Sequence, residues 1–458
     1  MTRVEYSTRI KILMRITRKT RIREKKLNRT DKECIFLNPR FPRNPRQKII
    51  SVCLLLFISL CFFPLRVEAI PASDVSAVSE GLVKLGMEDV RVGEEGGILR
   101  VAYEDNVYRG TYRGLAAVVR MLSADSSVNS AVHIVVLENR VPQISVRLPE
   151  EAIVSYREGI SGWKELVGSL RISYATDEDM QMLGRVKAEN RSAGKVDFVL
   201  YPQVSLNNSW LDKLYGTVLS IAPAVEVGLW KGASFTGQVV FPVWNNMGGE
   251  YDYIRAGMLV FRQEYRFPHN LFASFSIGNF NANRIGANVS LLYRPDNDRW
   301  TVGVDGGVTG SSTFYGGKWE VSMWNRVNGS VLLRYNEPRY HLEFDLRGSR
   351  YVFGDYGVRL DCTRHFGEVS VGLYAMYTGG KTNGGFHFAI PLPRRKRGKH
   401  RAFRIRLPEY FDWEYQAQTG SYYTRHLGWT YETRPDENHS RNYYNPEFIK
   451  AKLMTIDN

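Results

Sequence analysis

Between residues 196 and 392 the chain alternates apolar and polar side chains. Tyr340, Leu342, Phe344 and Leu346 fall on one side of the alternation, and His341, Glu343, Asp345 and Arg347 on the other. Val358, Leu360 and Cys362 then alternate with Arg359, Asp361 and Thr363. Successive side chains of a strand point to opposite faces, so each set belongs to one face of an extended segment. About twelve such segments, separated by turn residues, fill this stretch. Residues 70–150 change period. Asp74 is a candidate N-cap for a helix carrying Val75, Val78, Leu82 and Leu85 on one face. A hairpin follows, 90–92 and 98–103 around a Gly-rich turn at 93–97. Leu115, Val118, Val119 and Leu122 mark a second amphipathic helix. Segments 132–137 and 143–148 make a second hairpin around 138–142. This order predicts a small α/β domain, its helices on one face of an antiparallel sheet. Residues 151–195 read as a mixed, polar connector.

Alternation alone fits two environments. In a soluble sandwich the apolar face is the core; in a membrane barrel it meets lipid and the polar face lines the interior. Aromatic residues at segment ends favour the barrel, because such rings collect at membrane interfaces: Trp230, Tyr265, Phe267, Tyr293, Trp300, Tyr335, Tyr340, Tyr351 and Tyr377. So does the leader. An apolar core at 49–63 follows Arg43, Arg46 and Lys48 and precedes Val67-Glu68-Ala69. Fifteen residues of helix reach about 22 Å, short of a bilayer's roughly 30 Å core, so residues 1–69 are expected to be a leader cleaved after Ala69 rather than an anchor. Met14 offers an alternative start, with residues 1–48 upstream of the signal proper. The fold expected is mainly β: a transmembrane antiparallel barrel of about twelve strands over 196–393, preceded by the α/β domain in the periplasm.

Charge changes little in this picture. The net charge is +15, but residues 1–69 hold 17 basic and 5 acidic side chains, leaving 45 and 42 for the rest. Binding of nucleic acid loses its support. Cys34, Cys53 and Cys61 lie in the leader, so Cys362 is alone in the mature chain, without a disulfide partner or a Cys/His cluster for a metal. No cofactor is called for. Residues 394–458 read as a basic and aromatic periplasmic extension, since an even strand count returns both chain ends to that side. Its basic run, Arg394, Arg395, Lys396, Arg397, Lys399 and Arg401, is either a solvated segment or a contact for acidic headgroups or an anionic polymer.

Arg350-Tyr351-Val352-Phe353-Gly354-Asp355-Tyr356-Gly357, then Val371-Gly372-Leu373-Tyr374-Ala375, and finally Gly385 through Ile390-Pro391-Leu392 resemble the last strands of the YjbH family, the GfcD-type proteins of capsule operons. The similarity is specific over about 340–393 and looser over 70–393. It implies an outer-membrane barrel of a Gram-negative bacterium, associated with exopolysaccharide or capsule export and assembly. Outer-membrane lipid, exopolysaccharide and other secretion-system proteins are the partners it implies. Larger relatives carry a second barrel, for which this chain has no room.

Other constellations are weaker. Gly306–Gly310 and Gly379-Gly380-Lys381-Thr382 lack the following helix a phosphate loop needs, and read as β-turns. Asp305, Glu343, Asp345, Asp361, Arg334, Arg347, Arg359 and Arg364 are expected inside the barrel, either neutralising one another or guiding a polar solute. His341, His365 and His387 with Ser349 leave open an outer-membrane hydrolase, though nothing fixes a nucleophile beside a base. A small-solute channel is the other alternative. The reading preferred is non-enzymatic.

Overall fold

The computed structural model describes residues 75–208, 215–297, 299–315, 317–392, 401–417, 426–435 and 443–456. The leader with its cleavage site, Asp74, and the basic residues Arg394, Arg395, Lys396, Arg397 and Lys399 lie outside them.

Helix α1 (Ser76–Leu85) buries Val78, Leu82 and Val83 and stops at Gly86, whose φ of 98° suits a residue without Cβ. Strands β1 (Glu88–Glu95) and β2 (Ile98–Glu104) form the first hairpin. Helix α2 (Arg113–Ala124) then carries the chain across to β3 (Ala131–Glu138), which pairs parallel with β2. Asn139 and Arg140, at φ 47° and 64°, turn the chain into β4 (Val141–Leu148). The stretch expected as a connector belongs to this domain instead. Its helices α3 (Glu150–Arg157) and α4 (Trp163–Ser169) pack with α1 and α2 on one face, and β5 (Arg171–Ser173) completes a five-stranded sheet in sequence order. Helix α5 (Asp177–Leu183) covers the opposite face through Leu183, so the helices are not confined to one side. There Asp179, fully buried, accepts hydrogen bonds from Arg100 Nε at 3.2 Å and Ser145 Oγ at 3.1 Å, with His133 Nδ1 at 2.8 Å. Burial alone would raise its pKa, but His133 and Ser145 hold it below the usual value. A last helix, α6 (Pro446–Leu453), inserts Ile449 and Leu453 into the same core, and the Trp163 indole caps the Leu453 carbonyl at 2.8 Å.

The second sheet has fifteen strands among the described residues. The run is β6 (Val196–Asn208), β7 (Tyr215–Gly228), β8 (Ala233–Asn245), β9 (Arg255–Phe267), β10 (Leu271–Asn279), β11 (Arg284–Tyr293) and β12 (Trp300–Tyr315). A short β13 (Lys318–Val321) folds back antiparallel on the end of β12, and β14 (Arg326–Glu337), β15 (Leu342–Arg350), β16 (Tyr356–Phe366), β17 (Val369–Thr378) and β18 (Lys381–Pro391) complete the meander. Each long strand is antiparallel to the next. Two strands from the expected periplasmic extension join the edges. β19 (Phe403–Arg406) pairs parallel with β6, and β20 (Tyr410–Ala417) pairs antiparallel with β18. Only residues 407–409 separate them. The strand pairing itself is open, running from β19 to β20 without a bond between them.

The alternation resolves into two unlike faces. Glu343, Arg334 and His387 are 1–2% exposed, whereas Leu360, Val331 and Leu373 are 48%, 56% and 67% exposed. The polar face is covered and the apolar face is bare. The α/β domain stands at one end of the sheet: Gly232 N donates to Asn139 O at 2.9 Å, and Arg266 Nη1 to Pro142 O at 3.1 Å. We call this the near end and the opposite one the far end. Aromatic residues ring both, with Trp230, Phe267, Tyr293, Trp300 and Tyr340 exposed at the near end and Trp244, Trp319, Tyr356 and Tyr377 at the far end. Tyr351, expected in such a ring, instead packs inward on Tyr374 and Met376. Among the described residues no helix is long and apolar enough to cross a membrane, which says nothing of strands.

Candidate functional site

The covered face of the large sheet gathers charge because period two places every second residue there. Arg334, on β14, reaches across to β15 with Nε and Nη2 each 2.6 Å from an Asp345 oxygen and Nη2 3.3 Å from Glu343. His365 Nε2 stands 3.6 Å from the other Glu343 oxygen. On β16, Arg359 holds Asp361 at 2.7 Å and Glu414 of β20 at 2.8 Å, with Tyr374 beneath its guanidinium at 3.8 Å. His387 Nε2 lies 3.6 Å from Asp361, its ring lodged where Gly372 has no Cβ. At the joined edges, Asp197 on β6 meets Arg404 and Arg406 on β19, the latter 3.2 Å away, and Arg406 also reaches Glu226 at 2.7 Å. Asp305 accepts from Ser330. Paired guanidinium and carboxylate groups are the form in which a protein keeps charge out of water.

Of the residues expected here, Glu343, Asp345, Arg347, Arg359 and Asp361 do face this side, with Arg347 half-buried beside a cavity. His341 does not share their strand. It follows a 3-10 turn at φ 53°, where its N–H bonds to Pro338 O, and its ring stands 6.3 Å from Phe448 of α6. Arg364 is exposed on the apolar face with Leu360, one position from the covered-face residues Thr363 and His365. Ser349 lies opposite Gly357 while His365 lies opposite Ser370. Eight residues of β16 separate those levels, about 26 Å of strand, so no Ser–His pair forms. Arg401 is exposed just before β19.

The family-like turn lies at the far end and has an unexpected partner. Arg350 stacks over Tyr356, itself exposed, and donates to Val327 O. Tyr351 N bonds Asp355 O at 2.8 Å, Gly354 turns the chain at φ 93°, and Gly357 leaves room for Thr378. Asp355 accepts from Thr378 Oγ1 and from Gly428 N of the C-terminal tail, both at 2.8 Å. Val352 N donates to Trp429 O at 3.1 Å, and Phe353 stands edge-on to His426 and Trp429.

From that dock the tail runs along the covered face toward the near end. Tyr431 stacks on Phe280 with centroids 5.1 Å apart, and its hydroxyl bridges Asn288 Nδ2 at 3.2 Å and Asn328 Oδ1 at 3.1 Å. Glu432 N donates to Asn281 Oδ1 at 2.6 Å, and Arg262 Nη1 to Thr433 Oγ1 at 3.1 Å. Arg434 lies 3.4 Å from Glu138 of the α/β domain and 3.9 Å from Glu264 of β9. Tyr443 then stacks on Tyr112 at 4.7 Å, and α6 docks. Below Tyr431 a cavity of about 500 Å³ separates the sheet from the domain, lined by Tyr103, Glu104, Arg294, Asp305 and Tyr443 among others. Burial and the nearby Asp89 carboxylate push Glu104 up to about 7, and burial pushes Asp105 up to about 6.

The sequence pattern missed Glu414 and Tyr431. Glu414 had a signal, because Phe411, Trp413 and Tyr415 alternate with Asp412, Glu414 and Gln416 as plainly as in β15. Nothing local marks Tyr431. Among the described residues no group of His, Cys, Asp and Glu could hold a metal ion. A family model described as "Exopolysaccharide biosynthesis protein YbjH" matches residues 11–392, so β19, β20 and the tail lie beyond the match. No curated protein and no solved structure matches the chain.

Proposed function

The chain belongs to the YjbH family of exopolysaccharide biosynthesis proteins, and from that premise we propose that it acts without catalysis as an outer-membrane β-barrel in the export or surface assembly of an exopolysaccharide. One observation carries the barrel: the charged face of the sheet is covered while the apolar face is bare. A soluble sandwich does the reverse, whereas lipid on the outside suits both faces. The dimensions agree. Tyr356 to Phe366 is ten strand steps, about 33 Å, which at a tilt near 40° spans about 25 Å, the height of an outer-membrane apolar band.

In the proposed barrel, residues 403–417 are the closing strand. The first part bonds β6 through Val196 N to Ala402 O at 2.7 Å and the β19 pairing, and the second bonds β18. With β6–β12 and β14–β18 it makes thirteen long strands, closed by one parallel pair. Bacterial outer-membrane barrels ordinarily have an even count, and the odd parity has a consequence. β20 ends at the far rim, yet α6 sits on the near-end domain. Irregular backbone does not cross lipid, so the return runs through the interior, where 426–435 lie.

The mature protein is then a periplasmic α/β domain beneath a barrel, with lipid, glycan and other secretion proteins as its partners. A deletion strain tests the role: surface exopolysaccharide should fall and return with the full chain, and normal surface glycan would overturn it. Membrane residence is tested separately by fractionation and by heat-modifiable gel mobility.

A further inference from the structure

We propose that Phe280, Asn288, Asn328 and Gly307 form a saccharide subsite in the interior, and that Tyr431 of the tail is its resident occupant, closing the path to the far rim. The inference rests on the proposed export role and names the site within it. Phe280 is 2% exposed and presents its ring face, on which Tyr431 lies almost parallel at 3°. Beside that platform two amides clamp one hydroxyl, Asn288 donating to it and Asn328 accepting from it. A Cβ at Gly307 would stand 2.0 Å from the same oxygen, so the niche exists only because that residue is glycine. An apolar ring face next to a donor and an acceptor that hold a single hydroxyl is the arrangement a pyranose ring requires: its C–H face stacks and its hydroxyl bonds. The tyrosine ring with its phenol copies both features.

The surroundings fit an occupant that can leave. Beyond the dock at Gly428 and Trp429, the tail's contacts along this track include a reciprocal pair of hydrogen bonds between Asn281 and Glu432, one from Arg262 to Thr433 and the Arg434 ion pairs, groups that serve sugar hydroxyls equally well. Below the niche the cavity continues toward the near end. There the Tyr103 hydroxyl and Arg294 Nη1 are buried without a hydrogen-bond partner among the described residues. A glycan entering from the domain side would meet these groups first and Tyr431 last. Withdrawal of 426–435 would hand it the subsite and open the way out.

The test uses the full chain reconstituted in planar bilayers, probed with trisaccharides of β-1,4-linked glucose, N-acetylglucosamine and a uronate. The unaltered chain should conduct poorly. Tyr431→Ala should raise unit conductance at least fivefold, and at least one trisaccharide should interrupt that current. Adding Asn288→Ala and Asn328→Ala should keep the conductance and remove the interruption. Unchanged conductance on Tyr431→Ala, or a current no trisaccharide affects, overturns the proposal. Arg434→Gln, which removes the tail's ion pairs to Glu138 and Glu264 without touching the niche, serves if Tyr431→Ala loses its heat-modifiable mobility. Because surface glycan in the deletion strain is scored apart from conductance, a failed subsite and a failed export role give different results.

Discussion

Leu360→Arg places a charge on the bare face of the sheet, where the medium decides the cost. Leu360 is 48% exposed, sits between Leu346 and Ala375 on the neighbouring strands, and lies four residues from Tyr356 at the far rim. Those steps amount to about 13 Å of strand, about 10 Å of depth at a tilt near 40°, not far from the middle of a 25 Å band. If water meets this face, the substitution removes little contact and should cost under about 0.5 kcal/mol. If lipid does, an arginine near mid-depth costs about 2–4 kcal/mol, and one at the rim about 0–1. Tyr356→Arg, at a residue 70% exposed, supplies the rim control. Reversible unfolding in phospholipid vesicles, followed by tryptophan fluorescence, should therefore show Leu360→Arg weakened by roughly 30- to 1000-fold in its folding constant while Tyr356→Arg stays within tenfold of the parent. Equal and small effects at both positions would refute the lipid-facing assignment, as would an unmodified chain that stays folded and monomeric in buffer without detergent.

Arg334→Met leaves Asp345 and Glu343 buried without their counter-charge and should cost about 3–5 kcal/mol in the same unfolding assay; most of that should return when both carboxylates become amides. Glu104, 8% exposed and pushed up to about 7 from 4.5, binds its proton more readily folded than unfolded. Its contribution therefore opposes folding increasingly as pH rises from about 4.5 through 7, reaching roughly 3 kcal/mol above that window. Glu104→Gln should flatten the fall in hydrogen-exchange protection of β2 and β3 between pH 5 and 8, and an unchanged slope would count against the buried acid. Gly307→Ala should expel the Tyr431 hydroxyl and reproduce the conductance gain of Tyr431→Ala; parental conductance would show that the niche does not hold the tail.

Much of this protein was legible in one dimension. Strand content, the two faces of β15 and β16, and the hairpins of the α/β domain follow from a period of two or 3.6, which each segment carries within itself. The placing of Glu343, Asp345, Arg359 and Asp361 on the covered face of the sheet followed from the same alternation. Where the pattern failed, a neighbour remote in sequence intervened. His341 leaves the strand because Pro338 sets up a 3-10 turn before it, and its ring then meets Phe448, more than a hundred residues onward. Tyr351 turns inward because Tyr374 and Met376 receive it.

What tertiary structure alone decided is the end of the chain. Residues 403–417 alternate like any strand, but nothing in them states that one half joins β6 and the other β18. Nor does the composition of 426–435 reveal a path across the charged face, since that path comes from partners on β9, β11 and β14 and from the strand directions that leave β20 ending at the far end. Local periodicity selects the faces of a strand because the information lies within a few residues. Which groups then meet across the covered face depends on register and connectivity summed over the whole sheet, a quantity no single segment contains.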